Sequence, residues 1–323
     1  MKPAQYPDLK TLIDRLDKRN KERQAARVII AGSILLGAIA LVSPFLVQKS
    51  APVAVLPEEV AVPVVDTYQG ISLEGKAAIV YDLTTKEVLF SKNDKAQLPL
   101  ASLTKLLTAY AGATSLDKDA SVVITPSALA AEGESGLSEG EVFTFTDAAR
   151  LALVASSNDA AEAIAEAAAQ KNAVSGRSLL ASAAAAIGLP QTYAVNGTGL
   201  DVSTTLSGGY GSAYDVAQLA GALLSVAPEL ALATTLPEVS VRSNTGAVHT
   251  LPNTNQDVVH VPNMLLSKTG FTDLAGGNLA IVFDSGIGHP VAIVVLGSSH
   301  EGRFNDVNEL LTRTRNHFAN LAP

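Results

Sequence analysis

The 323-residue chain has no cysteine, few aromatic residues (5%) and more acidic than basic side chains, for a net charge of −8. Without cysteine it can build neither disulfides nor thiolate metal sites, and the lack of disulfides leaves its compartment open. The deficit of positive charge, with a pI near 5.2, argues against nucleic acid as a partner. The five histidines (His249, His260, His289, His300 and His317) fall at no ligand spacing, so no metal site and no cofactor are expected. What the chain has in quantity is apolar residues, 47% of the total, enough to bury a sizeable core.

Charge is also missing locally. No charged residue occurs from Val28 to Val47, a run of twenty, which is the length that spans a bilayer as a helix. Residues 1–27 carry eight basic and four acidic side chains, and the flank after the run carries only Lys49 before Glu58 and Glu59. This asymmetry predicts a cytoplasmic tail (1–27) and a single transmembrane helix (28–47) lying in the cytoplasmic membrane, with everything beyond it extracytoplasmic. A cleaved signal peptide would have a shorter apolar region and a small-x-small cleavage site, where this chain has Val47-Gln48-Lys49. Residues 48–70, with Pro52, Pro57 and Pro63, read as an extended linker that could reach roughly 60 Å at about 3 Å per residue.

Residues 71–323 then read as one domain. Ala77–Asp82 and Glu87–Phe90 around a Leu83–Lys86 turn predict a hairpin. Alanine-rich helices are expected over 146–170, 175–187 and 213–226, short strands over 240–242, 265–269, 278–283 and 291–297, and a last helix over 305–318. Strands, a helical block, more strands and a helix make an α+β pattern: terminal segments share one antiparallel sheet with a mostly helical subdomain inserted between them.

One stretch breaks a local rule. A helix is expected to start at Ser102 after Pro99, yet the residue three positions on is Lys105, where a capping box has Glu or Gln. The helix dipole disfavours a cation in the first turn, and residues three apart share a helix face with Cβ atoms about 5–6 Å apart. A hydroxyl and an amine side by side are what a serine nucleophile with a lysine base requires. Two further segments could each be ordinary: Ser156-Ser157-Asn158-Asp159 as a helix break with a cap, and Lys268-Thr269-Gly270 as a strand exit.

In this order the three segments match the Ser-x-x-Lys, Ser-x-Asn and Lys-Thr-Gly set of the penicillin-recognising serine enzymes. From about residue 70 to 318 the chain resembles the serine-type D-alanyl-D-alanine carboxypeptidases, the low-molecular-mass penicillin-binding proteins. Ala101–Ala109, Ser156–Ala160, Asn253–Asn255 and Lys268–Gly276 carry the likeness. The resemblance implies the DD-peptidase/β-lactamase-like fold and an acyl-enzyme on Ser102, with Lys105 as base, Ser156 relaying a proton and Asn158 holding Lys105 and substrate. It implies that Lys268 and Thr269 bind the terminal carboxylate, that Gly270 allows close approach, and that the N–H groups of Ser102 and Phe271 form the oxyanion hole. The implied partners are peptidoglycan stem peptides ending in D-Ala-D-Ala, and β-lactams as covalent inhibitors.

Three other readings share these residues. A transpeptidase or an endopeptidase cutting D-Ala cross-links differs only in the acceptor or the donor. A class A β-lactamase uses a glutamate between the second and third motifs, whereas none occurs here between Glu166 and Glu229. A non-catalytic peptidoglycan-binding protein on the same fold would not need the reactive side chains, all of which are present. The departures from the family are Asn278 where members often carry Cys, an N-terminal anchor in place of a C-terminal amphipathic helix, and no extra C-terminal β domain.

Overall fold

The computed structural model describes residues 66–133, 136–286 and 288–321. The chain opens with the hairpin β1 (Ala77–Asp82) and β2 (Val88–Lys92), a two-residue β3 (Leu98–Pro99), a 3₁₀ turn over Ala101–Leu103, and α1 (Thr104–Ser115). Next come β4 (Ser121–Val123), β5 (Val142–Thr144), α2 (Phe145–Val154), α3 (Asn158–Lys171) and α4 (Gly176–Ile187). The middle of the chain forms β6 (Tyr193–Ala194), β7 (Gly209–Gly211), α5 (Ala213–Val226) and α6 (Pro228–Ala233). It closes with β8 (Glu238–Arg242), β9 (Val248–Pro252), β10 (Met264–Thr272), β11 (Gly276–Asp284), β12 (Pro290–Ser298) and α7 (Gly302–Leu321).

Five strands build one antiparallel sheet in the order β10-β11-β12-β1-β2. Ala77 pairs with Leu296, so the two ends of the domain meet at the middle of this sheet. Every residue of β1 is buried, as expected for a strand covered on both faces. Alternate side chains point to opposite faces. On one face Ala78, Val80, Ile281, Ile293 and Val295 pack with Val307, Leu310 and Leu311 of α7. On the other, Tyr81 meets Tyr214 of α5 edge to face at 5.4 Å.

The helical block lies between β2 and β10, and its helix starts are set by side-chain caps. Thr144, Ser157, Ser175 and Ser212 each accept a backbone N–H three residues on, opening α2, α3, α4 and α5. A Cβ on Gly112 would sit 2.4 Å from the Phe145 ring, so the absence of a side chain there lets α1 and α2 pack closely.

The expected strands and helices all occur, with ends shifted by a few residues. The sequence did not anticipate β3 to β7, β9 or α6. The domain also begins earlier than the expected boundary at 71. Tyr68, assigned above to the linker, is buried in the core and its hydroxyl donates to Thr314 Oγ1 at 3.0 Å. The expected tail, the transmembrane helix and linker residues 48–65 lie outside the described residues. Among the described residues no helix is long and apolar enough to cross a membrane.

Candidate active site

The first predicted segment begins with strain. Ala101 adopts φ +47°, a left-handed conformation uncommon for a residue with a side chain, and the 3₁₀ turn follows at once. Leu103, not Ser102, takes the cap position of α1, and no side chain caps that helix. Ser102 is therefore free of the capping role that a serine before a helix ordinarily fills. Lys105 lies in the first turn of α1 and is wholly buried.

The Lys105 ammonium Nζ donates to Ser102 Oγ at 2.8 Å, to Asn158 Oδ1 at 2.7 Å and to the Thr198 carbonyl at 2.9 Å. Burial drives this amine from its ordinary 10.5 down to about 7, against the pull of the Glu162 charge. Once neutral, the amine keeps two N–H groups and gains a lone pair. Asn158 Oδ1 and the Thr198 carbonyl oxygen can only accept. The lone pair is therefore left to the Ser102 hydroxyl, the one partner able to donate.

The second segment divides its labour residue by residue. Ser157 caps α3 through the Ala160 N–H at 3.1 Å. That leaves Ser156 and Asn158 to the site. Ser156 sits at φ +60° and its Oγ accepts from Lys268 Nζ at 2.9 Å. Asn158 spends its amide oxygen on Lys105 and donates Nδ2 to the Glu132 carbonyl at 2.5 Å, so both ends of the side chain are fixed. Strained backbone at Ala101 and Ser156 persists because the surrounding packing holds it, which is common at functional sites.

The third segment is on β10, at the edge of the main sheet. Lys268 is buried, and its Nζ also donates to the Thr269 carbonyl at 3.0 Å. Burial, then the Lys105 and Arg303 charges, lower its pKa well below the usual lysine range. The two buried amines thus disfavour being charged together. Thr269 Oγ1 donates to Thr254 Oγ1 at 2.7 Å. A Cβ on Gly270 would stand 2.9 Å from the Leu100 carbonyl and 3.2 Å from the Ser102 nitrogen, so only glycine lets the strand pass this close to the 3₁₀ turn. Phe271 is half exposed, with its ring edge to face with His300 at 5.1 Å.

Ser102, Ser156, Thr269, Gly270 and Phe271 share the wall of one cleft of about 540 Å³. Arg303, from the first turn of α7, lines it too and was missed by the sequence reading. It is 5% exposed, donates from Nη1 to the Gly270 carbonyl at 2.7 Å, and leaves a buried Nε without a partner. Nothing in the residues around Arg303 marks it locally, and neither does anything around Thr198. Each reaches the site only through tertiary packing. Asn278, the departure noted above, is buried behind the site and bridges the Pro99 carbonyl (3.0 Å) and the Gly297 N–H (2.8 Å). Among the described residues no cluster of His, Asp and Glu is arranged to hold a metal ion.

A serine hydroxyl facing a buried, easily neutralised amine, with the basic side chains of Arg303 in the cleft wall and Lys268 bound to Ser156, makes an arrangement that can carry out acyl transfer and bind a carboxylate. Residues 64–300 match the family described as D-alanyl-D-alanine carboxypeptidase (peptidase S11), and the chain belongs to that family. It is 31% identical over 249 residues to the D-alanyl-D-alanine carboxypeptidase DacF of Bacillus subtilis, a match spanning 74% of this chain and 61% of the relative. The chain thus spans about three-fifths of that relative's length. A D-alanyl-D-alanine endopeptidase of Pseudomonas aeruginosa is 31% identical over 234 residues, 69% of this chain and 71% of that one. The ampicillin-bound structure of penicillin-binding protein D2 from Listeria monocytogenes superposes with a TM-score of 0.64 at 27% identity, over 75% of this chain and 98% of that one. The penicillin-binding DD-peptidase fold expected from the sequence is the fold observed.

Proposed function

We propose that this chain is a membrane-anchored serine DD-carboxypeptidase that removes the terminal D-Ala from peptidoglycan stem pentapeptides. The observation that carries the reading is the 2.8 Å contact between Ser102 Oγ and a Lys105 amine whose other partners are both acceptors. The family and its named relatives support the substrate class.

In this reading Ser102 Oγ attacks the carbonyl carbon of the penultimate D-Ala as its proton passes to Lys105. The oxyanion is held by the N–H groups of Ser102 and Phe271. Ser156 relays to the departing D-Ala amine the proton that Lys105 took from Ser102, as the C–N bond breaks, leaving an ester on Ser102 and a neutral Lys105. Lys268, Thr269 and Arg303 hold the carboxylate, which supplies the counter-charge that buried Lys268 lacks and an acceptor for the unpartnered Arg303 Nε. Water then hydrolyses the ester. A β-lactam, presenting a carboxylate beside a reactive carbonyl, would acylate the same serine, as the ampicillin-bound relative suggests.

Anchoring through residues 28–47 rests on the uncharged run and its basic N-terminal flank, and puts the catalytic domain outside the cytoplasm. Resistance of the membrane-bound protein to carbonate extraction, with loss of the domain on protease treatment of spheroplasts, would support that placement. The chemistry is tested by incubating the chain with fluorescent penicillin and with a D-Ala-D-Ala-ended pentapeptide. A covalent label that disappears in Ser102→Ala, together with release of free D-Ala, is expected. No label would sink the acyl-enzyme, and rapid penicillin turnover would point to a β-lactamase. The Pseudomonas relative keeps a second reading in view, cleavage of D-Ala cross-links, which would release monomers from a cross-linked muropeptide dimer.

A further inference from the structure

A second cavity of about 320 Å³ has Thr198, whose carbonyl Lys105 binds, in its wall. Glu162 lines it, one turn into α3 from Asn158. Its Oε2 accepts the Gly197 N–H at 3.0 Å. Gly197 is pressed against the same helix, since a Cβ there would meet Ala165 Cβ at 2.9 Å and the Ala161 carbonyl at 3.1 Å. The Gly197 carbonyl accepts from Thr108 Oγ1 of α1 at 2.7 Å, and the next carbonyl along the chain, Thr198, is the one that Lys105 binds. One carboxylate thus clamps the loop that presents an acceptor to the buried amine, while its charge acts on that amine.

We propose that Glu162 is a positioning residue for the general base: it fixes the Thr198 carbonyl against Lys105 and stabilises the ammonium that forms there when Ser102 loses its proton. This rests on the acyl-enzyme reading above. Full burial of a protonated lysine is costly, and an opposite charge nearby offsets part of that cost at the moment the proton arrives. The other charged groups facing the pair are Lys268 of β10 on the Lys105 side, and Glu166 of α3, Glu132 and Asp201 around the cavity. Glu166 is held by the hydroxyls of Thr125 and Ser127, both at 2.6 Å. Burial raises the Glu162 pKa most strongly and the Glu166 charge adds to it; the Gly197 N–H and Lys105 offset only part of this, so the carboxyl sits above its usual range.

Charge and loop can be separated by substitution. Glu162→Gln removes the charge and keeps an oxygen for the Gly197 N–H. Glu162→Asp keeps the charge but shortens the reach. The second-order rate of acylation by fluorescent penicillin is measured against pH on the full chain in mild detergent. In E162Q the acid limb should move to lower pH by roughly half to one unit, because an opposite charge no longer raises the Lys105 pKa. The plateau rate should fall about three- to tenfold, the size of effect expected for a weakened base. In E162D the limb should stay in place while the plateau falls. An E162Q limb superimposable on that of the parent would overturn the proposal, and so would an E162D limb displaced as far as that of E162Q. A parent chain that takes up no penicillin at any pH would instead remove the acyl-enzyme reading, and this one with it.

Discussion

Replacing Lys105 by methionine should abolish acylation and yet make the protein more stable at neutral pH. The side chain is wholly buried, and its amine is lowered from 10.5 to about 7. At about 1.4 kcal/mol per pH unit, that gap makes the protonated lysine about 5 kcal/mol less favourable in the folded chain than in the unfolded one. Methionine is close in size and carries no such penalty. Against the gain stands the Thr198 carbonyl, which loses its donor in a buried position at a cost of about 1–3 kcal/mol. Ser102 and Asn158 are only partly buried, so water can take over their lost bonds. The net expectation near pH 7 is stabilisation by about 2–4 kcal/mol.

The sign of the pH dependence follows from linkage. Between about pH 7 and 10.5 the unfolded chain holds a proton on Lys105 that the folded chain does not, so parent stability rises with pH through that window. Below about 7 both states are protonated and the full penalty is present. The stability advantage of Lys105→Met should therefore shrink by about 1.4 kcal/mol per pH unit above 7 and reverse between about pH 8.5 and 10. Urea unfolding of both proteins at pH 7, 8 and 9, followed by far-UV circular dichroism, measures the gap directly. A gap that stays flat would mean that Lys105 keeps an ordinary lysine pKa, and a neutral base at this position would be refuted. The same amine places the acid limb of parent acylation near pH 7.

Other substitutions probe the frame around the site. Gly270→Ala should lower the acylation rate on the order of a hundredfold while the protein still folds, because a Cβ at 2.9 Å from the Leu100 carbonyl pushes β10 off the 3₁₀ turn; labelling at near-parent rates would refute the close approach. Asn278→Ala leaves the Pro99 carbonyl and the Gly297 N–H without partners, and should cost about 2–4 kcal/mol in urea unfolding. Asp306 accepts from the Glu74 and Gly75 N–H groups and from Ser298 Oγ, all within 2.9 Å. Asp306→Ala should cost about 3–5 kcal/mol and expose residues near 70–76 to limited proteolysis, and an unchanged cleavage pattern would refute that anchoring role.

The parts of the site that could be read from sequence are those whose chemistry depends on local spacing. Ser102 and Lys105 are three apart at a helix start, and the wrong charge for a cap gave the pair away. Ser156, Ser157 and Asn158 break an alanine-rich block, and in the structure the middle serine makes the expected cap while its neighbours turn to the site. Thr198, Glu162 and Arg303 carry no such signature. They become neighbours of the reactive groups only when the 196–199 loop, α3 and α7 pack together. The strands β3 to β7 are two or three residues long, too short for a period of two to register. The early start of the domain was hidden because Tyr68 is held by Thr314, 246 positions away.

The pairing of Ala77 with Leu296 also has a bearing on time. β1 has β2 on one side from the outset, but its other edge stays open until β12 has been made, and Arg303 and Asp306 arrive later still. Loop closure over so long a separation is slow, and the central sheet cannot form ahead of it. The helices can assemble early, yet the cleft stays incomplete until β12 and α7 have joined the sheet. Competence therefore comes with the closing of β12 against β1 and the docking of α7, and a domain that lacks them lacks Arg303 in its cleft.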